Sequence, residues 1–290
     1  MHDVTYLRPK NLQDAVQLFR TTPECRPLAG GTDLMVMLHA GTVRPAPRVV
    51  LDVWSLPELK GVRRADGMLE IGAAESFTGI IGSAEVHAQL PALAAVARTI
   101  GAAQIQNRGT LGGNLAHADP ASELPALMLA LDARFRAQSA RGERWIEARE
   151  FFRGVFTTAL RADELLAEVE LPELRPRTGT CFMEVARRRG DYAMMGVAAV
   201  VALGADDRCT HARLAYCNAG ETPVSAATAA QALVGSRIGE GQIHDVAVAA
   251  QREIDPLGNV HASKAFQRHL AGVLTRRALQ TAVDRAKAGR

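Results

Sequence analysis

Two pairs of adjacent glycines, each set between an apolar approach and a helix-like run, constrain this chain most: "PLAGGTDLMVMLHAG" at residues 27–41 and "NRGTLGGNLAHADPASELPALMLALDA" at residues 107–133. Consecutive glycines at a helix start let a neighbouring group approach without meeting a Cβ, and they leave N–H groups that no intrahelical carbonyl satisfies. A phosphate suits such a place; for either pair alone, a simple turn of the chain explains the glycines as well. The nucleotide signatures G-x-x-x-x-G-K-[ST] and G-x-G-x-x-G are both missing, which argues against a Rossmann domain. The second loop nevertheless offers the Thr110 hydroxyl, the bare amides of Gly112 and Gly113, and the Asn114 side chain within five residues. Two such loops from separate units could grip a diphosphate between them, the geometry of a dinucleotide in a cleft.

Around these loops the pattern divides the chain into three. After Asn11, a helix cap, Leu12, Ala15, Val16 and Phe19 fall on one helical face. The run 34–41, capped by Thr32 or Asp33, stops at Gly41, and a strand follows over 48–53. Alternating residues on either side of Asp66 and Gly67 read as a hairpin. A helix over 90–101, the second glycine loop, a helix from about Pro125 to Leu131, and strands over 133–139 and 164–171 complete the second unit. The Pro/Arg/Gly stretch 172–180 suits a boundary. Beyond it, strands over 196–203 and 211–217 alternate with helices near 225–233 and 243–254. A last helix from about Ala262 carries Phe266, Leu270, Val273, Leu274 and Ala278 on one face. The expected units are residues 1–57, 58–175 and 176–290.

Composition narrows the function. With 34 basic against 31 acidic residues and a net charge of +3, the chain has no electrostatic footprint for nucleic acid or anionic lipid. The N-terminus lacks a basic and then apolar leader, and no apolar run is long enough to span a membrane. Cys25, Cys181, Cys209 and Cys217 lie too far apart for a C-x-x-C site, so they read as reduced thiols of a cytoplasmic protein. Neither G-x-S-x-G nor H-E-x-x-H occurs, so nothing supports hydrolysis. His117 has no companions at metal-ligand spacing.

The stretches "PLAGGTDL", "NRGTLGGNLAHADPASELPALMLALDA" and "EVARRRGDYAMMGVAAVVAL", in this order, with "NVHASKAFQRHLAGVLTRRAL" near the end, closely resemble the FAD-binding medium subunit of molybdenum hydroxylases. This is the family of the carbon monoxide dehydrogenase flavoprotein and of the xanthine dehydrogenase flavin region. The resemblance implies an α+β architecture: a two-subdomain FAD-binding fold of the vanillyl-alcohol-oxidase type plus a C-terminal α/β domain of the carbon monoxide dehydrogenase flavoprotein type. It makes Leu28, Ala29, Gly30, Gly31, Thr32, Asp33 and Leu34 the first FAD loop, and gives the second to Thr110, Gly112, Gly113 and Asn114. Ile105, Gly109 and Ala116 would pack against the cofactor. Glu123 stands where many members have an aspartate that accepts from the cofactor's hydroxyls, one methylene longer here. Leu165 or Leu166 would lie over the isoalloxazine, with Arg187, Arg188 and Asp191 in a loop beside it, where charge would tune the reduction potential. A solvated surface run explains those charges equally well. His117 reads as a polar wall residue near the flavin.

The resemblance further implies an electron-transfer subunit with no general acid or base of its own. It would take electrons from a 2Fe-2S small subunit, fed by a molybdopterin-binding large subunit, and pass them to an external acceptor in an (LMS)2 heterohexamer. The missing cysteine cluster fits that division, because cluster thiolates must then come from another chain. An aromatic at the place of Ile100 and a lysine near Met183, found in xanthine dehydrogenases, are absent, which points away from NAD. Two other readings stay open: a self-sufficient FAD oxidoreductase of the same fold, and a flavin-free scaffold or assembly subunit.

Overall fold

The computed structural model describes residues 4–289. Its architecture is α+β, built on three main sheets. In the first, Thr5–Leu7 and Cys25–Leu28 run parallel to a central Val49–Asp52. Parallel neighbours need a crossover, and the helix Leu12–Thr21 supplies it. Its cap is the one expected: the Asn11 side chain accepts from the Asp14 N–H at 2.8 Å. Ala15 and Val16 sit fully buried against Leu51, Val53, Leu56 and Leu59, and the same cluster takes in Leu165 and Ala167 from the second sheet and Ala74 just beyond one of its strands. The first unit is thus too small to close its own core.

The second sheet is antiparallel, in the order Val62–Ala65, Met68–Gly72, Leu165–Pro172, Arg134–Ser139, Gly142–Glu147. Asp66 and Gly67 both have positive φ (49° and 74°), as the expected two-residue hairpin turn requires. One face of this sheet carries a row of ion pairs in which the buried Glu168 and Glu170 meet Arg63, Arg136 and Arg134. The other face is apolar and covered by short helices, among them Phe77–Gly82, Pro91–Ala97, Leu111–His117 and Glu123–Ala130.

The third sheet runs Thr178–Val185, Met195–Leu203, Cys209–Cys217, Val224–Ser225, all antiparallel. Helices Glu240–Glu253 and Lys264–Lys287 cover one face. The other receives Glu123–Ala130 of the second unit, whose core cluster includes Ala198, Val200, Ala215 and Cys217. Beyond Glu123 at its start, that helix is apolar all round, as a helix without a solvent face must be. Every residue of Met195–Leu203 is buried for the same reason.

Several elements depart from the sequence reading. The helix expected over 90–101 spans only Pro91–Ala97, because Ile100 leaves it to bridge Gly190 of the third unit. The second glycine loop is itself helical, with Gly112 and Gly113 inside Leu111–His117; glycine costs about 1 kcal/mol in a helix interior, which hid it. Strands Gly142–Glu147 and Thr178–Val185 were not foreseen. On the last helix the buried stripe passes through Gln267, Leu270, Leu274, Ala278 and Ala282, while Phe266, expected on that face, is exposed.

Candidate functional site

A cleft of about 810 Å³ opens where the three units meet. Residues 28–34 form one wall, running from the end of strand Cys25–Leu28 to the start of helix Leu34–His39. Among the described residues, the backbone N–H groups of Gly30, Gly31, Thr32 and Asp33 donate to nothing within the chain. They form an unpaired donor row of the kind an anion satisfies. The facing wall is Gly109, Thr110, Gly112, Gly113, Asn114 and Ala116, with Glu123 below it. Thr110 caps its helix by accepting from the Gly113 N–H at 3.0 Å, and the Asn114 side-chain oxygen accepts from the Ser122 hydroxyl at 2.9 Å.

The glycines have reasons the sequence did not disclose. A Cβ on Gly30 would stand 2.0 Å from the Arg108 carbonyl oxygen, so what comes close to that backbone is the other loop. A Cβ on Gly112 would meet the Ala73 Cβ at 2.5 Å, and the Gly112 N–H donates to the Ala73 carbonyl at 2.8 Å. The first glycine welds loop to loop; the second seats the helix start on the central part of the fold. Trp54 reinforces the weld, its ring meeting the Lys60 ammonium at 3.5 Å and the Arg108 guanidinium at 4.2 Å, a pair of cation–π contacts.

Ile105, Leu165, Leu166 and Asp191 also line the cleft, as do Ile100 and His117. His117 stacks on Phe156 with ring centres 4.9 Å apart, and no group of His, Cys, Asp and Glu able to hold a metal occurs among the described residues. Of the expected set, Arg187 and Arg188 do not line the cleft. Arg188 and Arg187 instead pair with Asp191, at 3.0 and 3.3 Å, and hold its carboxyl below the usual range, Arg188 first.

Sequence reasoning missed Tyr192, next to Asp191, whose hydroxyl donates to Asp33 Oδ1 at 3.1 Å and so ties the third unit to the first loop. It also missed Glu164, which lines the cleft and accepts both guanidinium contacts of Arg144 at 2.8 Å. The hydrogen bond from Arg144, against the opposing effect of burial, holds Glu164 below its ordinary pKa. No motif marks either residue; a tyrosine adjoining the charged run at 187–191 was the only available signal.

An unpaired donor row, a hydroxyl and amide wall and aliphatic side chains lining one cleft are the features of a dinucleotide-binding protein. Residues 2–174 match the FAD binding domain in molybdopterin dehydrogenase, and residues 180–282 match the CO dehydrogenase flavoprotein C-terminal domain. The 6-hydroxypseudooxynicotine dehydrogenase complex subunit alpha of Paenarthrobacter nicotinovorans is 36% identical over 90% of this chain and 87% of its own. Caffeine dehydrogenase subunit beta of Pseudomonas sp. (strain CBB1) is 36% identical over 97% and 95%. A solved carbon monoxide dehydrogenase from Hydrogenophaga pseudoflava superposes with a TM-score of 0.94 at 32% identity, covering 98% of each chain. The chain belongs to the family of FAD-binding subunits of molybdenum hydroxylases, and it is an FAD-dependent oxidoreductase component. Among the described residues, no helix is long and apolar enough to cross a membrane.

Proposed function

We propose that FAD lies in this cleft with its diphosphate between residues 28–34 and the 109–114 loop, and with its ring toward Leu165, Leu166 and the 187–192 loop. What supports the reading is that one cleft gathers both glycine loops, which lie far apart in the chain, with the unpaired N–H groups of residues 30–33 on the first of them. These residues fit the group: donors for a diphosphate, Asn114 and Glu123 for hydroxyls, and aliphatic side chains for a flat ring. When bound, FAD supplies the electron-accepting and electron-donating chemistry.

The chain's own residues bind, orient and shield the cofactor. Thr110 and Asn114 fix one wall, and Gly30 brings the other against it. Tyr192 and the Asp191–Arg188 pair place hydrogen-bonding and charged groups at the mouth. Ile105, Gly109 and Ala116 pack beside the cofactor; Arg187 acts only through its pairing with Asp191. In the complex, electrons reach this subunit from a 2Fe-2S small subunit served by a molybdopterin-binding large subunit, and leave to an external acceptor. Two copies of each chain form the cytoplasmic assembly. The visible spectrum of the full chain, with chromatographic identification of released cofactor, tests the reading: about one FAD per chain is expected. Colourless protein that takes up no FAD even with its partner subunits overturns it.

A further inference from the structure

Glu184 is absent from the cleft wall, yet it stands behind it. On strand Thr178–Val185 it pairs with Gly196, which pairs in turn with Cys217 on the next strand. A Cβ on Gly196 would lie 2.6 Å from Cys217 Sγ, 3.0 Å from the Phe182 ring and 3.4 Å from Glu184 Cβ, so these three side chains crowd the space the glycine leaves. Helix Glu123–Ala130 rests on the two strands that carry Gly196 and Cys217. Its first residue, Glu123, is 4% exposed and opens on the cleft. Oε2 of Glu184 is sealed from solvent and has no hydrogen-bond partner among the described residues.

A buried carboxylate oxygen without a donor costs about 1–3 kcal/mol or more, and a proton removes the charge that makes it costly. Burial first, then the nearby Glu184 carboxylate, pushes Glu123 up to about 8, and burial pushes Glu184 up to about 7. The other groups that act on them are also acidic or neutral. Asp119 is raised by burial, the Ser122 hydroxyl adjoins Glu123, the Cys217 thiol is pushed well up by burial and by both carboxylates, and the Tyr192 hydroxyl is raised by burial.

We infer that Glu184 is a positioning residue that keeps a proton on Glu123, so that Glu123 meets the anionic dinucleotide as a neutral carboxyl and loss of that proton releases the cofactor. The inference rests on the placement of FAD proposed above. Its sign follows from linkage. A diphosphate in the cleft disfavours a second negative charge beside it, so bound FAD raises the Glu123 pKa, and deprotonation weakens FAD by the same factor.

The test is FAD affinity of the full chain, alone and with its partner subunits, by equilibrium dialysis from pH 6 to 9. Infrared spectra of the FAD-free chain follow the protonated carboxyl band in parallel. With a midpoint near 8 and a charged form that does not bind, the dissociation constant rises about tenfold between pH 7 and pH 9. Glu184→Gln moves the rise to lower pH, so the variant matches the native chain at pH 6 and binds more weakly at pH 8. Glu123→Gln removes the rise and the carboxyl band that disappears near pH 8. A native affinity that is flat, or that strengthens with pH as a carboxylate accepting hydroxyls would make it, overturns this inference and leaves the FAD site standing. A Glu184→Gln curve superimposable on the native one also overturns it. No FAD bound at any pH, partners included, overturns both.

Discussion

Replacing Gly30 by alanine tests the weld between the two loops. The added methyl would lie 2.0 Å from the Arg108 carbonyl oxygen and 2.7 Å from its carbon. An ordinary carbon–oxygen contact is about 3.3 Å, so one loop must retreat by roughly 1.3 Å. The 108–109 peptide is not free to yield. The Gly109 N–H donates to Ile105 at 2.6 Å, the Gly109 carbonyl accepts from the Phe77 N–H at 3.1 Å, and the Arg108 guanidinium is held over Trp54. Overpacking of this kind costs about 1–3 kcal/mol. If that cost is relieved by spreading the cleft, FAD affinity falls by about 5- to 150-fold, at 1.4 kcal/mol per tenfold. The assay pairs thermal unfolding with FAD titration and uses Gly241→Ala as the control. Nothing lies within 4 Å of a Cβ on Gly241 in helix Glu240–Glu253, so that variant gains up to about 1 kcal/mol. A Gly30→Ala chain that melts and binds FAD like the native protein would refute the loop-to-loop account.

Arg144→Ala leaves Glu164 buried without its bidentate partner and is expected to cost about 1–3 kcal/mol in denaturant unfolding at pH 7. Glu164 has a depressed folded pKa, so its contribution is present above the ordinary glutamate value of 4.5 and lost as pH falls through the folded value. Stability profiles should show that acid limb in the native protein and a shallower one in the variant. Thr275→Val strands the fully buried Tyr216 hydroxyl, which lies 2.6 Å from Thr275 Oγ1, and should lower stability by about 1–3 kcal/mol; an unchanged unfolding midpoint would contradict the pairing. Of the thiols, only Cys25 is partly accessible, while Cys181, Cys209 and Cys217 are buried. A thiol reagent should therefore modify Cys25 first and reach the others only on unfolding, as peptide mapping would show.

The sequence by itself determined what depends on near neighbours. The Asn11 cap, the Asp66–Gly67 hairpin, the stop at Gly41 and the cleft-lining stretches 28–34 and 109–116 were all legible. Caps and turns are set within a few residues, and local chemistry marks them; the Gly112 and Gly113 amides, read as bare, are instead taken by the Ala73 carbonyl and the Thr110 hydroxyl. The tertiary structure decided what depends on distant backbone. It shows that Gly30 is glycine because Arg108 presses on it, and that Ile100 leaves its helix for Gly190. It also turns Phe266 outward and sets Glu184 beside Gly196 on the sheet against which helix Glu123–Ala130 packs. None of these pairings has a sequence period or a fixed spacing. Each arises from contacts between segments far apart in the chain, and burial at such contacts changes what a glycine or a carboxylate costs.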